Sequence, residues 1–276
     1  MDRYAVAGNP VEHSKSPDIH ARFAAQTGQA LTYERLLVPL DRFETTLRAF
    51  AASGAKGCNV TVPFKFEACR AAHRVSERAR LAQAANVLCF EPQGGWFADN
   101  TDGSGLVADL RHNAGVDLAG RDLLLIGAGG AAAGVLAPLI DLRPRRVVVA
   151  NRTLHKAQAL VQTHAAWAAE RDVTLQASGL EDCGSGYALV LNATASSLQG
   201  GGVPVAGRVL GPGALAYDMM YGPAAAGFLE WAAEHGASGR DGLGMLVEQA
   251  ADAFALWRGV RPETTEVLAA LRRGEV

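Results

Sequence analysis

Lys65 follows directly on Asn59-Val60-Thr61-Val62-Pro63-Phe64, and its position asks for an explanation. Val60 and Val62 alternate with Asn59 and Thr61, the period-two pattern of a strand, so the two polar side chains share one face. Pro63 stops the strand, and its fixed φ suits the first turn of a helix. Ala68, Ala72, Val75, Ala79 and Ala82 then recur at helical spacing, which predicts one long helix. Lys65 falls in its first turn, where the helix dipole disfavours a cation. A residue set against its local rule is a candidate for chemistry, here proton transfer; the plain alternative is a solvated surface lysine.

Three further stretches could bind anions. Ser16 precedes Pro17 and reads as a helix N-cap, with Asp18 in the first turn, whereas Ser14 has no capping role. A hydroxyl pair at a helix N-terminus suits an anion. Gly127-Ala128-Gly129-Gly130-Ala131-Ala132 is a G-x-G-x-x-A loop between the apolar strand Leu123–Ile126 and a helix. Such glycines let a pyrophosphate approach backbone N–H groups at the helix end. Asn151-Arg152-Thr153 ends the next strand, Arg146–Ala150, where an NAD site would carry a carboxylate for the ribose 2′-hydroxyl. A guanidinium, an amide and a hydroxyl stand there instead, with Lys156 one turn on, a set that suits the 2′-phosphate of NADP. Thr153 as a plain N-cap beside a surface arginine is the alternative.

The elements needed to hold these residues follow from the pattern of the chain. Strands at Tyr4–Ala7, Leu31–Val38 and Gly57–Val62 alternate with helices, one of them opened by a capping box at Asp41–Glu44. Asn86–Phe90 and Trp96–Asp99 flank Gly94-Gly95 as a hairpin, and a helix follows from about Ser104 to His112. Further strands at Ala188–Leu191 and Leu215–Met219 complete a second α/β region. The expected fold is therefore α/β with two domains, each built on a mostly parallel sheet whose ligands sit at the carboxyl ends of strands. Gln249 is a polar residue within an apolar helix of Leu246, Ala250, Phe254 and Trp257, and reads alternatively as a satisfied core amide.

Composition narrows the function classes. The chain has 276 residues, 49% hydrophobic and 20% charged, enough for two packed domains. Its net charge of −2, with no basic block, argues against nucleic acid as a partner. The four cysteines lack C-x-x-C spacing and read as reduced thiols of a cytoplasmic protein. No signal peptide, membrane-length apolar run or clustered metal-ligand set is evident.

Asn59–Lys65 resembles the signature of the shikimate dehydrogenase family, in which that lysine is catalytic. Asn100-Thr101-Asp102-Gly103 is similar to the family's motif whose aspartate pairs with the lysine, a couple able to supply and recover the proton when a carbonyl and an alcohol interconvert. By the same resemblance Ser14, Ser16, Asn59, Thr61, Asn86, Tyr221 and Gln249 bind substrate. Gly127, Ala128, Gly129, Gly130, Ala131, Asn151, Arg152, Thr153, Lys156, Thr194, Met219 and Gly242 bind NADP. The family's stretch after Asn192 is matched with an inserted Ala195 ahead of Ser196. The resemblance implies NADP-dependent, reversible oxidation of shikimate to 3-dehydroshikimate without a metal, by a monomer or homodimer. It implies a substrate domain, residues 1–102 plus 243–276, with C-terminal helices returning to it, and a Rossmann-type NADP domain, residues 103–242. A quinate/shikimate dehydrogenase of the same fold and a non-catalytic dinucleotide-binding module are the alternatives.

Overall fold

In the computed structural model, which describes residues 1–194 and 202–275, the chain divides into two compact units. One joins Met1–Gly105 to Leu246–Val276; the other is Leu106–Met245.

The first unit runs β1 (Asp2–Gly8), α1 (Ser16–Thr27), β2 (Leu31–Leu37), α2 (Phe43–Ala52), β3 (Gly57–Val60), α3 (Lys65–Ala71), β4 (Arg74–Val75), α4 (Glu77–Ala82), β5 (Val87–Phe90) and β6 (Trp96–Asp99). Its sheet has the order β2-β1-β3-β5-β6-β4. The strands β2, β1 and β3 are parallel, β5 is antiparallel to both neighbours, and β4 is parallel to β6. Ala5 and Ala7 face a core in which Phe43, Leu47 and Phe50 of α2 meet Phe64, Ala68 and Leu88. Tyr4, on the opposite face of β1, stacks on Trp257 at 4.6 Å.

Four local expectations are corrected. The single helix behind Pro63 is a helix, a short strand and a second helix. Ser76 starts the second by accepting the Ala79 N–H at 3.2 Å, and Arg74–Val75 pair with β6 instead of continuing α3. The period of apolar residues runs through the break because Ala68 and Ala79 both enter the same core. Secondly, β3 ends at Val60, so Asn59 lies in the strand and Thr61 beyond it, its N–H donating to Ala7 O at 2.9 Å. Val62 is consequently exposed. Thirdly, Ser16 is not the N-cap of α1. It is the first helical residue, and its own N–H donates to Ser14 Oγ at 3.3 Å. Finally, Asp41 forms no capping box, since α2 begins after Arg42 with no side-chain cap.

In the second unit, α5 (Asp102–Ala108) enters from the first and continues as a π turn over Asp109–Asn113. Then follow β7 (Asp122–Ile126), α6 (Gly130–Asp141), β8 (Arg146–Ala150), α7 (Leu154–Ala169), β9 (Thr174–Ser178), β10 (Tyr187–Asn192), β11 (Leu210–Asp218), α8 (Ala226–Glu234) and β12 (Ser238–Arg240). All strands are parallel, in the order β12-β11-β10-β7-β8-β9. The order reverses between β7 and β10, the switch point at which such sheets bind dinucleotides. Every residue of β7 is buried, as a strand covered on both faces requires. Last come α9 (Leu243–Arg258) and α10 (Thr265–Arg272), which rejoin the first unit from Leu246 on. No helix among the described residues is long and apolar enough to cross a membrane.

Candidate active site

The turn after β3 delivers Lys65 as the first residue of α3, and the turn after β6 delivers Asp102 as the first residue of α5. Lys65 Nζ donates to Asp102 Oδ2 at 2.6 Å, with the two side chains 12% and 6% exposed. Asn100 Oδ1 accepts the Asp102 N–H at 3.1 Å, which fixes the start of α5. Asp102 Oδ1 accepts from Asn86 Nδ2 at 2.9 Å. Asn86 also donates to Gln249 Oε1 at 2.9 Å and accepts the Thr101 N–H at 2.7 Å. Gln249 is satisfied at both ends of its amide, its Nε2 donating to Leu246 O at 3.1 Å and its Oε1 accepting from Asn86, as the core-amide reading expects. One of the three ammonium donors of Lys65 is committed within the described residues, leaving two for a ligand.

Thr101 belongs to this cluster and escaped the candidate residues. It is fully buried, and its hydroxyl donates to Gln249 O at 3.1 Å. Its signal in the sequence was its place inside Asn-Thr-Asp-Gly, next to the aspartate. Asp99 anchors the same stretch from outside: Arg78 grips it with Nε at 2.7 Å and Nη2 at 2.6 Å, and Ser76 donates at 2.6 Å. Burial pushes the Asp99 carboxyl up, but Arg78, Ser76 and the Asn100 N–H outweigh it and hold the carboxyl below its usual range.

Ser14 and Ser16 lie side by side, the Ser14 hydroxyl donating to Ser16 Oγ at 3.2 Å. Arg35 donates twice to Ser14 O, at 3.1 and 2.6 Å, and fixes the turn. Asn59 is 5% exposed and engaged at both ends of its amide. Its Oδ1 accepts from Tyr33 OH at 2.7 Å and its Nδ2 donates to Asn86 O at 3.2 Å. Thr61 is half-buried, and its methyl closes on Gly8, where a Cβ would come within 2.3 Å of it.

In the second unit, Gly127 ends β7 with φ +112°, a conformation open to glycine. A Cβ there would also come within 3.2 Å of Ala193 and Thr194. Gly129, Gly130 and Ala131 begin α6, whose N-terminal N–H groups have no side-chain cap, and a Cβ at Gly129 would meet only open space. This cradle fits a pyrophosphate. Asn192 joins the ends of β10 and β11: its Nδ2 donates to Asp218 Oδ2 at 3.1 Å, and its Oδ1 accepts from Thr194 Oγ1 at 2.8 Å. The Met219 N–H donates to Asn192 O at 3.0 Å. Gly242 lies against Met219, where a Cβ would come within 2.3 Å of the carbonyl. Arg152 and Lys156 are exposed, and neither has a hydrogen bond or ion pair from its side chain among the described residues. Asn151 Nδ2 donates to Thr153 O at 2.9 Å, and Thr153 occupies the N-cap position of α7 without a side-chain cap bond. Tyr221 is half-buried in the turn after β11, in the second unit rather than with Ser14 and Ser16. The stretch with Ala195 and Ser196 lies outside the described residues.

Residues 6–88 match the family profile of the shikimate dehydrogenase substrate binding domain, residues 109–199 that of shikimate/quinate 5-dehydrogenase, and residues 242–272 that of the shikimate 5′-dehydrogenase C-terminal domain. The shikimate dehydrogenase (NADP(+)) of Methylibium petroleiphilum is 64% identical, over 98% of this chain and 94% of that one. That of Paracidovorax citrulli is also 64% identical, over 98% and 96%. Among solved structures, an Ael1 enzyme from Pseudomonas putida is 45% identical with a TM-score of 0.86, over 98% of both chains. The shikimate 5-dehydrogenase of Thermus thermophilus, in complex with NADP(H) and shikimate, is 31% identical with a TM-score of 0.84, over 99% of both. The chain belongs to the shikimate dehydrogenase family.

Proposed function

We propose that this protein catalyses the reversible, NADP-dependent oxidation of shikimate to 3-dehydroshikimate, with release of one proton. The observation that carries the reading is the buried Lys65–Asp102 pair, held by Asn86 yet with two ammonium donors uncommitted. An alcohol losing hydride must also lose a proton, and a lysine beside a carboxylate can accept it in one direction and return it in the other. When bound, NADP⁺ supplies the hydride acceptor. The first unit serves substrate: Ser14 and Ser16 take the carboxylate, and Thr61, Asn86 and Asp102 take ring hydroxyls, with Gln249 behind Asn86. Tyr221 is assigned to substrate, and the remaining site residues of the second unit serve the cofactor. Gly127–Ala131 receive the pyrophosphate, Asn151, Arg152, Thr153 and Lys156 the adenosine ribose and its 2′-phosphate, and Thr194, Met219 and Gly242 the rest. The Thermus thermophilus relative solved with NADP(H) and shikimate supports this pair of ligands. The enzyme works in the cytoplasm as a monomer or homodimer.

The test is NADPH formation with shikimate and NADP⁺, repeated with quinate and with NAD⁺. Turnover of shikimate with NADP⁺, and weak turnover with NAD⁺, is expected. Cofactor binding without turnover would make the protein a dinucleotide-binding module.

A further inference from the structure

Tyr33 lies on β2, outside the motifs that define the site, yet its hydroxyl is spent on a residue inside one. It donates to Asn59 Oδ1 at 2.7 Å. The Asn86 carbonyl, which can only accept, settles which end of the Asn59 amide is which: the NH₂ faces Asn86 O, 3.2 Å away, and the oxygen takes the Tyr33 hydroxyl as its donor. The same carbonyl accepts the Val60 N–H at 2.8 Å, so two donors from consecutive residues of β3 hold the Asn86 backbone. From that backbone the Asn86 side chain reaches Asp102 Oδ1.

The ring of Tyr33 is itself fixed. His20 stacks on it with centroids 4.2 Å apart and planes 7° from parallel. His20 is fully buried among Phe23, Phe254 and Trp257, and neither ring nitrogen has a hydrogen-bond partner among the described residues. Burial pushes its pKa down to about 3, against the opposing influence of Asn59, so the ring that stacks on Tyr33 is neutral.

We infer that Tyr33, seated on His20, and Asn59 are positioning residues that aim Asn86 at the Lys65–Asp102 pair. Asn59, 5% exposed and engaged at both ends, acts through Asn86 and does not itself touch substrate. Without the Tyr33 hydroxyl, Asn59 Oδ1 loses its 2.7 Å donor, and the amide that holds Asn86 O is less firmly fixed. The inference rests on the proposed reaction and on the role given there to Asn86.

The test is a double-mutant cycle on the full-length enzyme, measured as kcat/KM for shikimate and as calorimetric shikimate affinity. Tyr33→Phe keeps the ring and its stack on His20 and deletes the hydroxyl alone. It is expected to lower kcat/KM for shikimate by about tenfold, the scale of one lost buried hydrogen bond, with KM for NADP⁺ unchanged. In an Asn86→Ala background the same change should cost less than about twofold, because the residue through which Tyr33 acts is gone. An equal loss in both backgrounds would mean that Tyr33 acts through Ser16, with which its hydroxyl also interacts, or through packing alone, and would overturn the inference. So would native kcat/KM in Tyr33→Phe alongside a crippled Asn86→Ala, an outcome that leaves the proposed reaction standing. Native behaviour of Asn86→Ala itself would count against both.

Discussion

Two ion pairs of the same length sit in the two units and differ in what surrounds them. In the first, Lys65 Nζ meets Asp102 Oδ2 at 2.6 Å; in the second, Arg240 Nη2 meets Asp109 Oδ1 at 2.6 Å. Both carboxylates are buried. Asp109 is saturated, with a second bond from Arg240 Nε at 2.8 Å, Tyr217 OH at 2.8 Å and Asn113 Nδ2 at 2.9 Å. Gly244 leaves no room beside it, since a Cβ would come within 1.8 Å of Oδ1. Burial raises the Asp109 carboxyl, but these donors outweigh it and hold it below its usual range. Burial and the Asp109 charge together push the Tyr217 phenol up. A forked guanidinium that does not give up its proton is suited to architecture. Asp102 has Lys65 and Asn86, and the lysine is a point charge on a flexible stem with donors to spare. Length and burial therefore do not separate chemistry from scaffolding; the saturation of the carboxylate and the identity of the cation do.

The comparison breaks first at Asp102. Asp102→Asn should cut kcat by about 10²- to 10⁴-fold, the usual worth of acid–base catalysis, as measured by steady-state NADPH formation. The counterpart, Arg240→Met, leaves the Asp109 charge buried without its cation. It should cost about 3–5 kcal/mol in denaturant unfolding while losing far less kcat than Asp102→Asn. Equal losses of activity in the two variants would erase the distinction. A third cation sharpens it from the opposite extreme, because Arg152 is exposed and has no partner of its own among the described residues. Arg152→Ala should weaken NADP⁺ by roughly 10- to 150-fold and leave NAD⁺ nearly unchanged, and added salt should erode NADP⁺ binding more in the native protein than in the variant. Titration of both cofactors at two ionic strengths checks it.

The smallest effect concerns pH. The folded pKa of His20 is depressed to about 3, whereas the unfolded residue titrates near about 6.5. Between those values the unfolded chain binds the extra proton, so stability is complete above about pH 6.5 and falls as pH drops through that window, by about 2 kcal/mol at pH 5. Asp99 and Asp109, held low by their partners, add their losses only at lower pH. His20→Phe, which cannot titrate, should flatten the pH 5–7 part of the stability curve measured by urea unfolding; an unchanged slope would show that the histidine is protonated in the fold.

What could be read from the chain alone divides along local and non-local lines. The hairpin at Gly94-Gly95, β8 and the glycine loop rest on turn residues and short apolar runs, signals carried by neighbours in sequence. Lys65 at a helix start was visible for the same reason. The break between α3 and α4 was hidden because alanines entering one core from two helices mimic one helical stripe, although Ser76 followed by Glu77 carried a cap signal. The lost cap at Ser16 turns on where the helix begins: α1 starts one residue earlier than read, so Ser16 is helical and its N–H donates to Ser14 Oγ. Tyr33 and His20 were missed because their places depend on pairings across the sheet and with α9, for which single-chain spacing has no signal, whereas Thr101 stood inside a motif read for its aspartate.

The most direct test of the difference between the two ion pairs is kcat of purified Lys65→Ala at saturating shikimate and NADP⁺. The account predicts a loss of about 10²- to 10⁴-fold with a much smaller change in shikimate affinity, since the side chain is assigned to moving a proton. Near-native kcat in the folded variant would contradict it and leave Lys65–Asp102 as a structural pair like Arg240–Asp109.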